Sequence, residues 1–280
     1  MAAKRKRRVL PGFGLSLGFA ATYLGLIVLL PIAALFAKAA SATPSEFFAA
    51  ALSERAVAAY QVSFGTAFAA AAFNAIAGPV LAWVLVRYRF PGRELIDALV
   101  DLPFALPTAV AGITLTALLA QNGLLGEPLA KLGIDVVYTP LGISVALAFV
   151  GLPFVVRTVQ PVLADLEKEW EEAAATLGAG RWRTFRSVLL PVLWPAIATG
   201  FAMAFARGIG EYGSVVFISG NMPYETEIAP LLIVTQLEQY DYVGATAIAV
   251  VMLVVSFSLL LAMNALQRRI GSARPDEVHA

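Results

Sequence analysis

The sequence predicts an all-α, polytopic transmembrane helical bundle of six spans, and three observations carry that prediction. Of 280 residues, 59% are hydrophobic and only 14% charged, with a mean hydropathy of +0.78, far from the balance of an ordinary soluble domain. Apolar runs near the length that crosses a bilayer recur along the chain. The basic residues gather at the ends of those runs instead of spreading evenly. The sequence contains no cysteine, which excludes a disulfide framework, a thiolate metal site and a catalytic thiol.

In chain order the spans are Phe13 to Ala37, Ala58 to Val86, Phe104 to Ala120, Leu141 to Gln160, Val192 to Ile218 and Val243 to Ala265. The first follows a basic N-terminus and could be read as a signal peptide. Its apolar stretch exceeds a usual signal core, so it is read as a retained span. The third is the shortest, and Pro103 and Pro107 limit regular helix at its start. The apolar stretch Ile228 to Leu237 is too short to cross and reads as an interfacial or re-entrant piece on the outer side.

Charge orients the bundle. With the N-terminus inside, Lys4, Arg5, Lys6, Arg7 and Arg8, then Arg87, Arg89 and Arg93, then Arg157, Lys168, Arg181, Arg183 and Arg186, and finally Arg268, Arg269 and Arg274 are all cytoplasmic. Only Lys38, Arg55 and Lys131 face out, while Arg207 lies within a span. The positive-inside rule therefore puts both termini in the cytoplasm. Arg87, Arg89 and Arg93 read most simply as topology determinants and lipid anchors. Asp97 and Asp101 are expected to steady the cytoplasmic entry of the third span, and Asn74 and Gln160 to bond between helices.

This orientation makes residues 162–191 the large cytoplasmic loop. Val162, Leu166, Trp170, Ala173 and Leu177 recur at helical spacing and are expected to form one stripe. Asp165, Glu167 and Glu169 read as a solvated acidic face. Gly178 and Gly180 break the helix, Arg181 to Arg186 form a second short basic and aromatic turn, and Pro191 stands near the entry to the fifth span. Ala173, Ala174, Ala175 and Gly178 leave a backbone that a partner can approach closely, which suits insertion into a groove.

Glu172-Ala173-Ala174, three residues, Gly178, nine residues, then Val188-Leu189-Leu190-Pro191 resembles the EAA loop of importer-type ABC transporter permeases, with Val188 where isoleucine is usual. The resemblance implies a type I importer permease architecture. It also implies a helix that docks on a cytoplasmic ATPase, with Glu172, Ala173, Ala174, Gly178, Leu190 and Pro191 as coupling residues. No phosphate-cradling G-x-x-x-x-G-K-[ST] loop is present, and the single histidine, His279, sits in a polar tail. The chain itself is therefore expected to be no enzyme and to hold no cofactor, ATP and magnesium being bound by partner subunits.

Further segments, "RRVLPGFGLSLG" (7–18), "RYRFPGR" (87–93), "DLPFALPTAVAG" (101–112), "PFVVRTVQPVL" (153–163) and "GEYGSVVFISGN" (210–221), resemble the T-type permeases of sulfate/thiosulfate importers. That resemblance implies residues 58–266 as the permease domain, preceded by 1–57 and followed by a cytoplasmic tail, 267–280. It implies a bacterial inner-membrane location and four kinds of partner: a W-type second permease, two ATPase subunits, a sulfate/thiosulfate-binding protein and membrane lipid. Nucleic acid is not among them.

One ionisable pair lies at depth. Arg207 and Glu211 are four apart, hence on one helical face, within a glycine-rich stretch. Charges inside a membrane are costly and face protein or water. They read either as a structural pair or as a pathway or gate in which Arg207 draws in an anion. One deep cation is too few for a tight dianion site, so specificity is expected to reside in the separate binding protein. A molybdate or tungstate permease is the near alternative. An ion-coupled secondary transporter is the more distant one, and would predict paired broken helices. A membrane enzyme would need converging reactive side chains that the sequence lacks.

Overall fold

The computed structural model describes residues 13–167 and 169–271. The basic cluster Lys4 to Arg8, Lys168, Arg274 and His279 lie outside the described residues, as do the side chains of Arg268 and Arg269. Every regular element among the described residues is helical.

Helix α1 (Phe13–Ala39) crosses toward the end of the bundle that carries Lys38. A short helix α2 (Pro44–Ala51) follows, opened by a reciprocal capping box between Thr43 and Glu46. Helix α3 (Glu54–Arg87) returns over the full thickness. Three shorter pieces come next: α4 (Arg93–Val100), the single turn α5 (Leu102–Ala105) and α6 (Thr108–Leu119). Then come α7 (Gly126–Lys131), α8 (Pro140–Asp165), α9 (Glu169–Thr176) and α10 (Arg181–Ile209). The turn α11 (Val215–Ile218), α12 (Ala229–Glu238) and α13 (Tyr242–Gly271) complete the chain.

Five of these helices, α1, α3, α8, α10 and α13, are long and apolar enough to cross a membrane. The expected third span is assembled from shorter pieces. Leu106 is extended and Pro107 caps the 12-residue α6, because proline can begin a helix but cannot extend one through its own missing N–H. The fifth span also differs from its expected bounds. It ends at Ile209, and residues 210–214 are non-helical before α11. At its other end it starts at Arg181, so Arg181 to Arg186 are its first turns and form no separate element. A π-helical stretch, Phe185–Leu189, lies just before Pro191, with Leu190 N–H donating to the Phe185 carbonyl. The same pattern, Gly25–Leu29, precedes Pro31. In both, the helix widens ahead of a residue whose ring crowds the preceding turn.

The core is the triangle of α3, α8 and α10, which pack through small residues. In α3 the buried positions include Ala56, Ala59, Ser63, Ala67, Ala70, Asn74, Gly78 and Ala82, a helical stripe of side chains that lets neighbouring backbones approach. A Cβ on Gly200 would stand 2.7 Å from the Val155 Cα, so α10 and α8 meet backbone to backbone there. Asn74 donates to the Ala148 carbonyl at 2.9 Å, the interhelical bond expected of it. Helix α6 packs against α11 and α8, and α13 covers α10 and α12. Helix α1 buries only Ala39 and touches the bundle chiefly through α13.

Candidate functional site

Chain direction places the ends of α3 and α8, helices α4 and α9 and the start of α10 together at one end, the basic end of the bundle. The expected single stripe from Val162 to Leu177 is broken there. Helix α8 stops at Asp165, Leu166 turns to an extended conformation and is buried, and a new helix starts at Glu169. Spacing alone continues through the break because Leu166 packs inward while the backbone changes direction.

Helix α9 carries Glu172 and Ala173 exposed and Ala174 half-buried. Its end is a Schellman cap. Gly178 N–H donates to the Ala175 carbonyl at 2.9 Å and Ala179 N–H to the Ala174 carbonyl at 3.0 Å. Gly178 holds φ +80°, with open space where a Cβ would stand. The glycine of the motif is therefore required by backbone conformation, since a side chain there strains the left-handed cap without touching anything in this chain. Trp170 and Trp182 are exposed and Leu177 is 88% exposed, leaving an apolar surface around α9. Leu190 and Pro191 lie apart from this surface, inside α10 and beyond its π-helical stretch.

Two ionic clusters bind this end together. Arg157 on α8 forks onto Asp101, with Nε to Oδ1 at 2.8 Å and Nη2 to Oδ2 at 2.6 Å. It also donates from Nη1 to Asp97 Oδ1 at 2.7 Å, and the Gln160 amide donates to the same oxygen at 3.0 Å. The Gln160 amide and the Arg157 guanidinium hold Asp97 below the usual carboxylate range. Asp97 and Asp101 thus clasp α8, and Gln160 is the interhelical partner the sequence leads one to expect. The second cluster centres on Arg87 at the end of α3. Its Nη2 lies 2.9 Å from Glu171 Oε1 on α9 and donates to the Leu166 carbonyl at 3.0 Å. Its guanidinium lies over the Trp83 ring. Reading Arg87 as only a topology determinant and lipid anchor missed this, because its partners are distant in sequence and only packing brings them near.

Toward the opposite end, Arg207 and Glu211 form an ion pair. Glu211 is 2% exposed and Arg207 37%. Glu211 lies just past the end of α10, where its Oε1 also accepts from Ser214 N–H at 2.9 Å and Ser214 Oγ at 3.0 Å. The carboxylate therefore organises the non-helical segment as well as pairing with the arginine. Gly112 of α6 packs on that segment so closely that a Cβ would stand 2.4 Å from the Ser214 carbonyl oxygen. Arg207 is half-buried and stands on the face of α10 that also carries the exposed Pro195, Thr199 and Met203, each four residues apart. The sequence reading also overlooked Glu227. It is 1% exposed and takes a two-bond fork from Arg55 at 2.7 Å each. Among the described residues no group of three His, Cys, Asp or Glu could hold a metal ion.

The chain matches the family described as binding-protein-dependent transport system inner membrane component over residues 74–272. It belongs to that family. Membership makes it a multi-pass inner-membrane protein. Within the family it is similar to the sulfate transport system permease protein CysT of Escherichia coli (strain K12), 52% identical over 97% of this chain and 98% of that relative. The Synechococcus elongatus protein of the same name is 51% identical over 89% of this chain and 90% of the relative. Among solved structures, a chain of a bacterial ABC transporter involved in the import of the acidic polysaccharide alginate aligns with TM-score 0.75 and 19% identity, covering 92% of this chain and 96% of its own. A chain of the MetNI methionine ABC transporter aligns with TM-score 0.57 and 15% identity, covering 76% and 95%. The chain thus shares the fold of these ABC transporter chains.

Proposed function

We propose that this chain is the membrane-spanning permease subunit of an ATP-driven sulfate/thiosulfate importer, forming half of the translocation pathway and coupling it to a separate ATPase. The observation that carries the reading is the similarity, over nearly the full length of both chains, to permeases named for sulfate transport. The exposed surface around Glu172, Ala173 and Leu177, ended by the Gly178 cap, supports α9 as the ATPase-docking helix. With one such helix per chain, a pore takes two permease chains, the second being a W-type homologue. The basic end is cytoplasmic, as are both termini, and a sulfate/thiosulfate-binding protein docks on the opposite end. ATP binding by two cytoplasmic subunits draws their surfaces together and moves α9. The spans then rock, so that the anion enters between the two permeases, and hydrolysis resets them. Arg207 faces that passage from the side of α10 that carries Thr199 and Met203, while Glu211 keeps it paired when no anion is present.

The test is ATP-dependent uptake of labelled sulfate by vesicles holding the full complex, with molybdate as competitor. Uptake that sulfate and thiosulfate suppress and molybdate does not is expected. The reverse order assigns the chain to molybdate import. Within the same complex, Gly178→Asp is expected to abolish ATPase retention while leaving membrane insertion intact, since a side chain there meets nothing in this chain. Full retention with normal uptake overturns the docking role of α9.

A further inference from the structure

Helix α9 is joined to the bundle covalently only through two breaks, at Leu166 to Glu167 and at Gly178 to Gly180. Either break can absorb a displacement of α9 as a backbone rotation. A non-covalent link that bypasses both is therefore decisive for where such a displacement goes. Arg87 supplies one. A single guanidinium contacts the Glu171 carboxylate of α9, bonds the Leu166 carbonyl at the end of α8 and lies over Trp83 of its own helix. It is only 13% exposed. Exposed ion pairs exchange with water and contribute little, whereas a desolvated arginine holding two partners is screened far less. By contrast, Arg89 and Arg93 are exposed and make no ion pair among the described residues, as anchors at a headgroup layer would be.

The helix that Arg87 terminates is unusual in being gripped at its other end too. Arg55, in the first turn of α3, forks onto the buried Glu227 of the segment leading into α12, 172 residues away in sequence. Next to it, Ala229 N–H donates to Ser63 of α3 at 2.8 Å. Helix α3 is continuous between these grips over 34 residues, about 51 Å at 1.5 Å per residue.

We propose that Arg87 is a positioning residue that fastens α9 to α3 throughout the transport cycle, so that displacement of α9 is carried along α3 to the Glu227 segment at the opposite end. Arg87 touches neither anion nor nucleotide. It decides which helix receives the stroke. The proposal rests on the reading of α9 as the ATPase-docking helix.

The test uses the reconstituted importer, with the partner subunits free of accessible cysteine. This chain has none of its own. Three quantities are measured: ATPase retained on purification, ATP hydrolysis, and sulfate taken up per ATP. Arg87→Ala and Glu171→Ala should each retain the ATPase and its hydrolysis while uptake per ATP falls about tenfold, the scale of a typical coupling between sites. In the Arg87→Cys/Glu171→Cys double variant, uptake per ATP should be equally low. It should return to most of the wild-type value when a short bis-methanethiosulfonate reagent bridges the two thiols. Recovery through a neutral covalent link is an outcome that a role in charge burial or folding does not produce. If Arg87 variants fail to insert, Glu171→Ala, on a half-exposed side chain, carries the test alone. Unchanged uptake per ATP in Glu171→Ala, or a bridged pair that stays uncoupled, overturns the proposal. A wild-type complex that retains no ATPase instead overturns the docking reading itself.

Discussion

At the scale of single residues, the Arg207 and Glu211 pair is asymmetric, and the asymmetry makes a prediction. Glu211 is buried and also holds the Ser214 N–H and hydroxyl, whereas Arg207 is more than one-third exposed. Removing the arginine strands a buried carboxylate without its charge partner, which is the costlier half of the pair to lose. Removing the carboxylate charge leaves an arginine that can turn toward water, and glutamine at 211 still accepts from Ser214. Arg207→Met should therefore lower the melting temperature of the detergent-purified protein clearly more than Glu211→Gln. Equal losses would show that the pair is solvated alike on both sides. A charge swap should restore only part of the folded yield, because arginine at 211 cannot accept the two Ser214 bonds. An uptake defect in Arg207→Met that exceeds its loss of folded protein would mark the pathway role.

At the scale of elements, the close approach of α6 to residues 210–214 is the contact most exposed to a small change. A Cβ on Gly112 would meet the carbonyl oxygen, Cα and carbonyl carbon of Ser214 at 2.4–2.9 Å. These are backbone atoms that cannot rotate aside. Gly112→Ala should cost roughly 1–3 kcal/mol as overpacking and displace the segment that Glu211 organises. Gly65→Ala, in α3 with nothing within 4 Å of the added atom, serves as the matched control and should be neutral or slightly stabilising through helix propensity. Thermal melts of the two variants side by side check this, and equal melting temperatures would show that α6 is not seated on Ser214 as described. How legible these elements are in sequence varies for the same physical reason. The cap at Gly178 follows from local backbone chemistry and could be anticipated from the motif. The break at Leu166 could not, since the apolar spacing runs through it and only the packing of Leu166 against the bundle sets the turn.

At the scale of the whole molecule, the chain divides into a core triangle of α3, α8 and α10, an outer layer of α12 and α13, and a peripheral α1. Because α1 buries only Ala39 and leans on α13, its packing contributes little to the stability of the core. Replacing Phe13–Ala39 with an unrelated apolar span of equal length should leave insertion and the melting temperature of the rest nearly unchanged. A collapse of folded yield would show that α1 braces the bundle. The exposed apolar residues of α1 and of the outer faces of α3 and α6, among them Leu15, Phe19, Ile76 and Ile113, match a lipid or subunit environment rather than water. The molecule's ends differ in kind. The basic end is tied by ion pairs across α3, α4, α8 and α9, while the opposite end holds the non-glycine residues with left-handed backbone found among the described residues, Tyr138, Asn221, Tyr224 and Tyr240, in the connections that lead into α8, α12 and α13.

Hydropathy and spacing determined by themselves that this is a helical membrane protein, where most of its spans lie, and which loop carries the Glu172 to Pro191 motif. These are properties of the local chain: a run of apolar side chains is legible as a span, and Gly178 is legible as a cap, whatever lies beside them. Tertiary structure alone decided that Arg87 holds Glu171, that Arg157 holds Asp97 and Asp101, and that Arg55 holds Glu227. A charged residue near a membrane surface has the same sequence signature whether it meets headgroups, water or another helix. Only the packing of α3 against α8 and α10, set by small residues contacting backbone to backbone, brings those partners within 3 Å.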